Sequence, residues 1–315
     1  MRFLRIDPMD AVIDRKLQAA GHEVEVFFPK DTAECLARLQ GFQGLILRSR
    51  VEVTASFLAA CPDLQIIGRA GAGMENIDRE AARTFGVACF NSPEGNRDAV
   101  GEHSMALLLG LLKNLLPAKA AIAQGIWDRI KYTGGDLRTQ TVGIIGLGHM
   151  GTAFAERLQG FKVPCLAYDK YRPVHHDDPA ERVSLEELMA KATVISFHLP
   201  LTPETKGWLN DDFIQNMTHP FYLLNTARGA LVEVPALING LKEGKILGAG
   251  LDVLELENSR FQIDESGHQE MLSALSAFPQ VLLTPHTAGI TSASLTGIAS
   301  VLADKILAHL NTVNP

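Results

Sequence analysis

Thr141-Val142-Gly143-Ile144-Ile145-Gly146-Leu147-Gly148-His149-Met150-Gly151 joins an apolar run to glycines in a GxGxxG pattern and continues in helical periodicity through Leu158. That spacing suits a dinucleotide: Gly146 permits a tight turn, Gly148 lets backbone approach a pyrophosphate, and Gly151 lets the helix pack closely on the strand. The N–H groups that open the helix then favour the anion. The next strand, Val163 to Tyr168, ends at Asp169, eighteen residues after Gly151 and close to the ~20 expected of an acid that binds ribose hydroxyls. A carboxylate there repels a 2′-phosphate and favours NAD over NADP, whereas Lys170 and Arg172 work against that preference by offsetting the repulsion. Three later strands end in polar segments: Asn225-Thr226-Ala227-Arg228-Gly229, Leu251-Asp252-Val253-Leu254-Glu255-Leu256-Glu257 and Leu283-Thr284-Pro285-His286-Thr287-Ala288-Gly289. Ligands of open α/β sheets gather outside the carboxyl ends of strands, which gives Arg, Glu and His a place to converge.

Strands and helices in alternation must position these residues. Phe3 to Ile6, Val24 to Phe28, Leu45 to Leu47, Leu64 to Ile67 and Val87 to Phe90 read as strands separated by helical segments. Asp31 and Thr54 suit helix N-caps, because a short side-chain oxygen accepts from the first unpaired N–H groups. Regular βα alternation predicts a parallel sheet covered on both faces. The pattern pauses for a long helix from about Asp98 to Gln124, with Leu107, Leu108, Leu111, Leu112 and Leu115 on a broad apolar face. A second series then runs from Thr141 through Val163 to Tyr168, Val194 to Phe197, Tyr222 to Asn225 and Gly248 to Val253, ending at Val281 to Thr284. A domain boundary is therefore expected near residue 97.

The 315 residues, 46% hydrophobic and 21% charged, fit a globular protein of two domains. A net charge of −7 argues against nucleic acid or an anionic membrane as the main partner. Cys35, Cys61, Cys89 and Cys165 lie far apart, with no Cys-x-x-Cys and no His pair at metal-ligand spacing, so reduced thiols, no metal and a cytoplasmic setting are expected. Met1 to Pro8 is interrupted by charge and lacks a signal-peptide apolar stretch. Leu107 to Leu116 contains Lys113 and Asn114 and falls short of a membrane span.

Two further segments complete the pattern: Gly68-Arg69-Ala70-Gly71-Ala72-Gly73-Met74-Glu75-Asn76-Ile77-Asp78 and Asn96-Arg97-Asp98-Ala99-Val100-Gly101-Glu102-His103. With them the chain resembles the D-isomer-specific 2-hydroxyacid dehydrogenase family over nearly its whole length, most closely its 3-phosphoglycerate dehydrogenase branch. The resemblance implies an α/β fold of two Rossmann-like or flavodoxin-like doubly wound parallel-sheet domains, with the active site in the cleft between them. Residues 1–97 and 286–315 would form a discontinuous substrate-binding domain, and 98–285 an inserted NAD-binding Rossmann domain.

The activity so implied is hydride transfer between NAD and a D-2-hydroxy acid. The family pattern assigns Arg228 to the substrate carboxylate and carbonyl, His286 to acid–base catalysis, and Glu257 to orienting that histidine and supporting its charged form. These residue types suit the reaction: imidazole exchanges the alcohol proton as hydride leaves carbon, and an Arg fork holds a planar carboxylate. Glu255, two residues away, would face the same side of an extended segment; the family interval of 29 residues from Arg228 selects Glu257. The resemblance also places His149 and Met150 beside the pyrophosphate, Pro200, Thr226 and Ala227 along the cofactor, Asp252 near the nicotinamide carboxamide, and Gly71, Ala72 and Gly73 at the substrate carboxylate. His198, His103 and Glu102 read as structural polar residues.

Arg48 and Arg69, near strand ends, match the phosphate-binding character of the phosphoglycerate branch, while Arg50 reads equally as the surface partner of an acid. The resemblance therefore ranks 3-phosphoglycerate and 3-phosphohydroxypyruvate, the chemistry of serine biosynthesis, first among substrates. Glyoxylate, hydroxypyruvate, glycerate or lactate rank second, and an NAD-sensing corepressor module is the alternative of a different class. Two departures bear on specificity: Met74-Glu75, and Asn258 in place of a common Pro, followed by an expected surface loop over Asn258 to Gln269. Residues 98–130 resemble the arm through which family members dimerise, and no appended C-terminal regulatory domain is expected.

Overall fold

Short strands rich in Val, Ile and Leu and buried on both faces are stable only inside a sheet covered by helices on each side. The computed structural model, which describes residues 1–257 and 265–313, has two such sheets. The chain divides into two compact units, Met1–Arg97 with Ile290–Pro315, and Asp98–Gly289.

The first unit holds β1 (Arg2–Arg5), β2 (Glu23–Val26), β3 (Gly44–Leu47), β4 (Ile66–Arg69) and β5 (Ala88–Asn91), all parallel in the order β2-β1-β3-β4-β5. On one side, Leu4, Leu45, Leu47 and Ile67 pack with Cys35, Leu39, Phe57 and Ala82, contributed by helices Thr32–Leu39, Ala55–Ala59 and Arg79–Thr84. Asp31 caps the first of these by accepting from Glu34 N at 2.8 Å, and Thr54 caps the second by accepting from Phe57 N at 3.2 Å. On the other side, Phe3, Ile46 and Ile66 pack against helices Val12–Ala19 and Ser292–Val313.

Residues Ser292–Thr312 are long and apolar enough to cross a membrane on length and composition alone. Ala299, Leu302, Ala303 and Ile306, however, are fully buried in the first core, so this is a core helix. Its docking depends on two glycines: a Cβ on Gly95 would lie 2.3 Å from Ile298 N, and one on Gly297 would lie 2.7 Å from Gly95 O. Lys305 secures the same contact by donating to Asn91 O at 3.0 Å and to both Glu94 carboxylate oxygens at 2.8 Å.

The second unit holds β6 (Val142–Ile145), β7 (Cys165–Tyr168), β8 (Glu181–Arg182), β9 (Val194–Phe197), β10 (Phe221–Asn225), β11 (Ile246–Leu251) and β12 (Val281–Leu283). They lie parallel in the order β12-β11-β10-β9-β6-β7-β8. The chain runs outward from β6 to β8, then reverses through β9 to β12, which puts the topological switch between β6 and β9.

Two expectations are corrected. The helix expected to run unbroken to Gln124 is two, Arg97–Leu112 and Leu115–Ala123, bent by 61°. Pro117 cannot donate to the Lys113 carbonyl and forbids a continuous helix there, and Asn114 takes up the bend: its φ is 51°, a left-handed conformation that Asn tolerates better than most residues. The released Leu112 carbonyl accepts instead from Gly135 N at 2.8 Å. In the expected loop over Asn258 to Gln269, residues 258–264 lie outside the described residues, and the last five positions belong to helix Glu265–Ser276, which buries Leu275 in the core.

Candidate active site

The glycine turn follows β6 and leads into helix His149–Leu158. Gly146 has φ +94°, a conformation L side chains rarely adopt. A Cβ on Gly151 would lie 2.0 Å from Gly146 O, whereas one on Gly148 would meet nothing within 4 Å. Gly151 therefore closes the helix onto the turn, and Gly148 leaves an open approach. Gly148 is also the helix N-cap and has no side chain to satisfy the first N–H groups, so the turn offers space, donors and the positive end of a helix to a phosphate. His149 and Met150 open that helix.

Asp169 follows β7 and reaches this turn, accepting from Leu147 N at 2.8 Å through Oδ2 and from Tyr171 N and Arg172 N at 3.0 and 2.9 Å through Oδ1. Burial pushes its pKa up, but the three N–H donors together with the Arg182 charge outweigh burial and hold the group below the usual carboxylate range. An ionised carboxylate beside the glycine turn fits recognition of ribose hydroxyls. The residues present therefore fit a dinucleotide.

His198 was expected to be structural and supports the turn from beneath. It is half-buried, pairs through Nε2 with Ser196 Oγ at 2.8 Å and packs its ring 5.6 Å from that of Phe154 on the helix after the turn. Burial pushes its pKa down to about 3. Pro200 lies two residues further on, and its carbonyl accepts from Thr205 Oγ1 at 2.6 Å.

Arg228 follows β10, where Asn225 Nδ2 donates to its carbonyl at 2.9 Å and its own Nη1 donates to Ala227 O at 2.6 Å. Thr226 and Ala227 precede it, and Thr226 Oγ1 pairs with Ser104 Oγ at 3.1 Å. The adjoining Gly229 lies against the next strand-end segment so closely that a Cβ would fall 1.9 Å from the Leu254 carbonyl. This backbone contact draws the Arg228 and Glu257 segments together.

Glu257 turns back on its own loop, accepting from Leu254 N at 2.7 Å through Oε1, while Oε2 accepts from His286 Nδ1. Glu255 is exposed, so the geometry picks out Glu257 as the partner of His286.

Among the described residues, His286 is one of three non-glycine residues with positive φ, at 53°. A bulky residue in that region is strained by about 1–2 kcal/mol and persists only where its surroundings over-determine it. Asp252, at the end of β11 and 1% exposed, supplies that constraint. Its carbonyl accepts from His286 N at 2.7 Å. Its carboxylate accepts from Thr287 N at 2.9 Å, Ala288 N at 2.8 Å and Thr284 Oγ1 at 2.6 Å. His103 Nε2 pairs with Thr284 Oγ1 at 3.0 Å and completes the bracket. The Asp252 side chain, expected near the cofactor, is thus the clamp that sets the histidine loop. Sequence reasoning missed Thr284 and His103 as members of it, and only the Thr284-Pro285-His286 adjacency hinted at the first.

In the first unit, Arg48 follows β3, and its N–H donates to Asp7 Oδ2 at 2.6 Å. Arg50 is committed to Asp7 Oδ1 at 3.1 Å and Pro29 O at 3.2 Å. Arg69 ends β4, is 6% exposed, and lies over Gly71 with Nη1 only 2.0 Å from where a Cβ would be. Gly71, Ala72 and Gly73 form the turn that follows. Ser92 Oγ accepts from Gly71 N at 3.3 Å, and Asn91 Nδ2 donates to Ala72 O at 2.6 Å. Arg228, Glu257, His286 and the glycine turn all belong to the second unit, whereas Arg48, Arg69 and the Gly71 turn belong to the first.

The model of the D-isomer specific 2-hydroxyacid dehydrogenase NAD-binding domain matches residues 105–288. The chain belongs to that family. Its second unit is the NAD-binding domain of these 2-hydroxyacid dehydrogenases. D-3-phosphoglycerate dehydrogenase of Archaeoglobus fulgidus is 31% identical over 312 residues, 98% of this chain and 57% of that protein. The chain spans about half the length of the curated relatives it matches. Among solved structures, the TT0316 protein of Thermus thermophilus superimposes with a TM-score of 0.82 at 33% identity, covering 99% of this chain and 97% of that one. D-Lactate dehydrogenase of Aquifex aeolicus, complexed with NAD and lactic acid, gives a TM-score of 0.84 at 25% identity, covering 99% and 96%.

Proposed function

We propose that the protein is a cytoplasmic NAD-dependent dehydrogenase of D-2-hydroxy acids, with 3-phosphoglycerate and 3-phosphohydroxypyruvate as its substrate pair. The observation that carries the reading is the His286–Glu257 pair on a left-handed turn clamped by Asp252, in the same unit as Arg228 and the glycine turn. Binding and release of a proton need an imidazole held in one tautomer. The Glu257 carboxylate accepts from Nδ1, so Nε2 is the atom that takes the alcohol proton during oxidation and returns it during reduction. Arg228 holds the substrate carboxylate and polarises the reacting oxygen. Gly146, Gly148, His149, Met150, Gly151, Asp169, Pro200, Thr226 and Ala227 line the cofactor's place, and NAD, when bound, accepts or returns the hydride.

The phosphorylated substrate is supported by the similarity to D-3-phosphoglycerate dehydrogenases and by Arg48 and Arg69 at strand ends. In the Gly71-Ala72-Gly73 turn, Ala72 and Gly73 offer backbone N–H groups to a carboxylate, the Gly71 N–H being held by Ser92 Oγ. Turnover of a panel of 2-hydroxy and 2-oxo acids with both dinucleotides, followed at the nicotinamide absorbance, tests the reading. Phosphoglycerate is expected to give the highest kcat/KM, and Arg69→Ala to weaken it selectively over glycerate. Preference for lactate or glycerate would overturn the substrate, and dinucleotide binding without turnover would overturn the enzyme.

The bent helix pair presents Leu115, Leu116 and Ile122 to solvent, and beyond it Ile126 is exposed, with Trp127 and Ile130 81% and 86% exposed. Such a patch is covered in the assembled protein, and the occupant proposed is a second copy of the chain. Molar mass in solution is expected to be that of a dimer and to fall to a monomer in Trp127→Ser/Ile130→Ser.

A further inference from the structure

Cations around Asp169 would ordinarily invite a 2′-phosphate, since Lys170, Arg172 and Arg182 all gather near it. Each is already engaged. Arg172 pairs with Asp178 at 2.6 Å, and the Asp178 side chain is 4% exposed. Arg182 donates to Asp169 O at 2.7 Å and Arg172 O at 3.1 Å. Lys170 pairs with Glu204, which also accepts from Tyr171 Oη.

The Glu204 pair differs from the others in what it joins. Lys170 and Tyr171 follow β7, whereas Glu204 lies on the loop after β9. Those strands flank β6 on opposite sides, so the pair links the two loops on either side of the glycine turn. Glu204 does not sit on a slack loop. Thr202 N donates to Thr205 Oγ1 at 2.8 Å, Thr205 Oγ1 donates to Pro200 O at 2.6 Å, and Thr205 is 6% exposed. The carboxylate is therefore presented from a fixed turn, and Lys170, an exposed and flexible cation, is drawn towards it.

We infer that Glu204 is a specificity-determining residue: it engages Lys170 across the end of β6, away from the adenosine ribose, and so secures NAD over NADP. A 2′-phosphate meets the Asp169 carboxylate with none of these three cations at liberty to offset it. The inference rests on Asp169 being the ribose ligand of NAD.

Dissociation constants of NADH and NADPH, measured by quenching or enhancement of nicotinamide fluorescence on the full chain, test this without turnover. Wild type is expected to prefer NADH. Releasing one cation about 4 Å from a phosphate in water is worth about a fivefold gain, shrinking with added salt. Glu204→Gln is therefore expected to tighten NADPH about fivefold at low salt and to leave NADH unchanged. Lys170→Ala in the Glu204→Gln background is expected to remove that gain, and unchanged NADH binding in each variant shows that the domain is folded. Equal effects of Glu204→Gln on both dinucleotides, or a gain that survives Lys170→Ala, would overturn the role of Glu204. Wild type binding both dinucleotides equally is a different failure, and overturns the NAD reading beneath it.

Discussion

Acidification from pH 7 to pH 5 tests the support of the glycine turn through His198. Burial holds this imidazole neutral in the folded chain, with a pKa pushed down to about 3 against an ordinary value of 6.5. As pH falls, the unfolded chain binds the proton first. Stability from this residue is therefore complete above about pH 6.5 and is lost progressively between 6.5 and about 3. With each pKa unit worth about 1.4 kcal/mol, lowering the pH from 7 to 5 costs about 2 kcal/mol, or about a thirtyfold fall in the folded-to-unfolded ratio. The assay is urea unfolding of wild type and His198→Gln at both pH values, followed by fluorescence and circular dichroism. Gln keeps a hydrogen-bonding side chain beside Ser196 but does not titrate. The carboxylates contribute equally to both proteins, so the difference between their pH slopes isolates residue 198. Wild type is expected to lose about 2 kcal/mol more than the variant over this interval. Parallel losses would refute the claim that a neutral imidazole is locked beneath the turn.

Glu257→Gln removes the carboxylate that accepts from His286 Nδ1 and is expected to lower kcat/KM by about a hundredfold, with NADH affinity kept; steady-state kinetics and a fluorescence titration separate the two. Gly151→Ala places a methyl group 2.0 Å from Gly146 O and is expected to cost about 1–3 kcal/mol while weakening NADH, read by denaturant unfolding and titration. Gly95→Ala drives the same group into the backbone of helix Ser292–Val313 and is expected to destabilise the first unit by about 1–3 kcal/mol, with NADH affinity unchanged.

The glycine turn and Asp169 were legible because their chemistry fixes a local spacing, and the strand-end Arg, Glu and His because βα alternation fixes which ends share an edge. The choice between Glu255 and Glu257 was not settled by alternation, since both face one side of an extended segment. It is settled by a turn in which Glu257 accepts from Leu254 N. The left-handed His286 was equally hidden, because its cause, Asp252, lies far back in the sequence and acts through hydrogen bonds to Thr287 and Ala288. The break at Asn114 was written in Pro117, which has no N–H for the Lys113 carbonyl and excludes it sterically from a continuous helix; the Leu112 to Gly135 bond that rewards the break was not visible in the sequence.

Helix Ser292–Val313 has a consequence for how the chain is made. The Phe3, Ile46 and Ile66 side of the first sheet is covered by Ile298, Ala299, Leu302 and Ile306, which leave the ribosome after the whole of Asp98–Gly289. Domains generally fold as units in the order of synthesis, but here the order is inverted. The unit begun first must wait, one apolar face covered only by helix Val12–Ala19, while the unit inserted into it is completed. Nascent chains released near residue 290 are accordingly the stage at which the amino-terminal sheet is most exposed to chaperones and to aggregation.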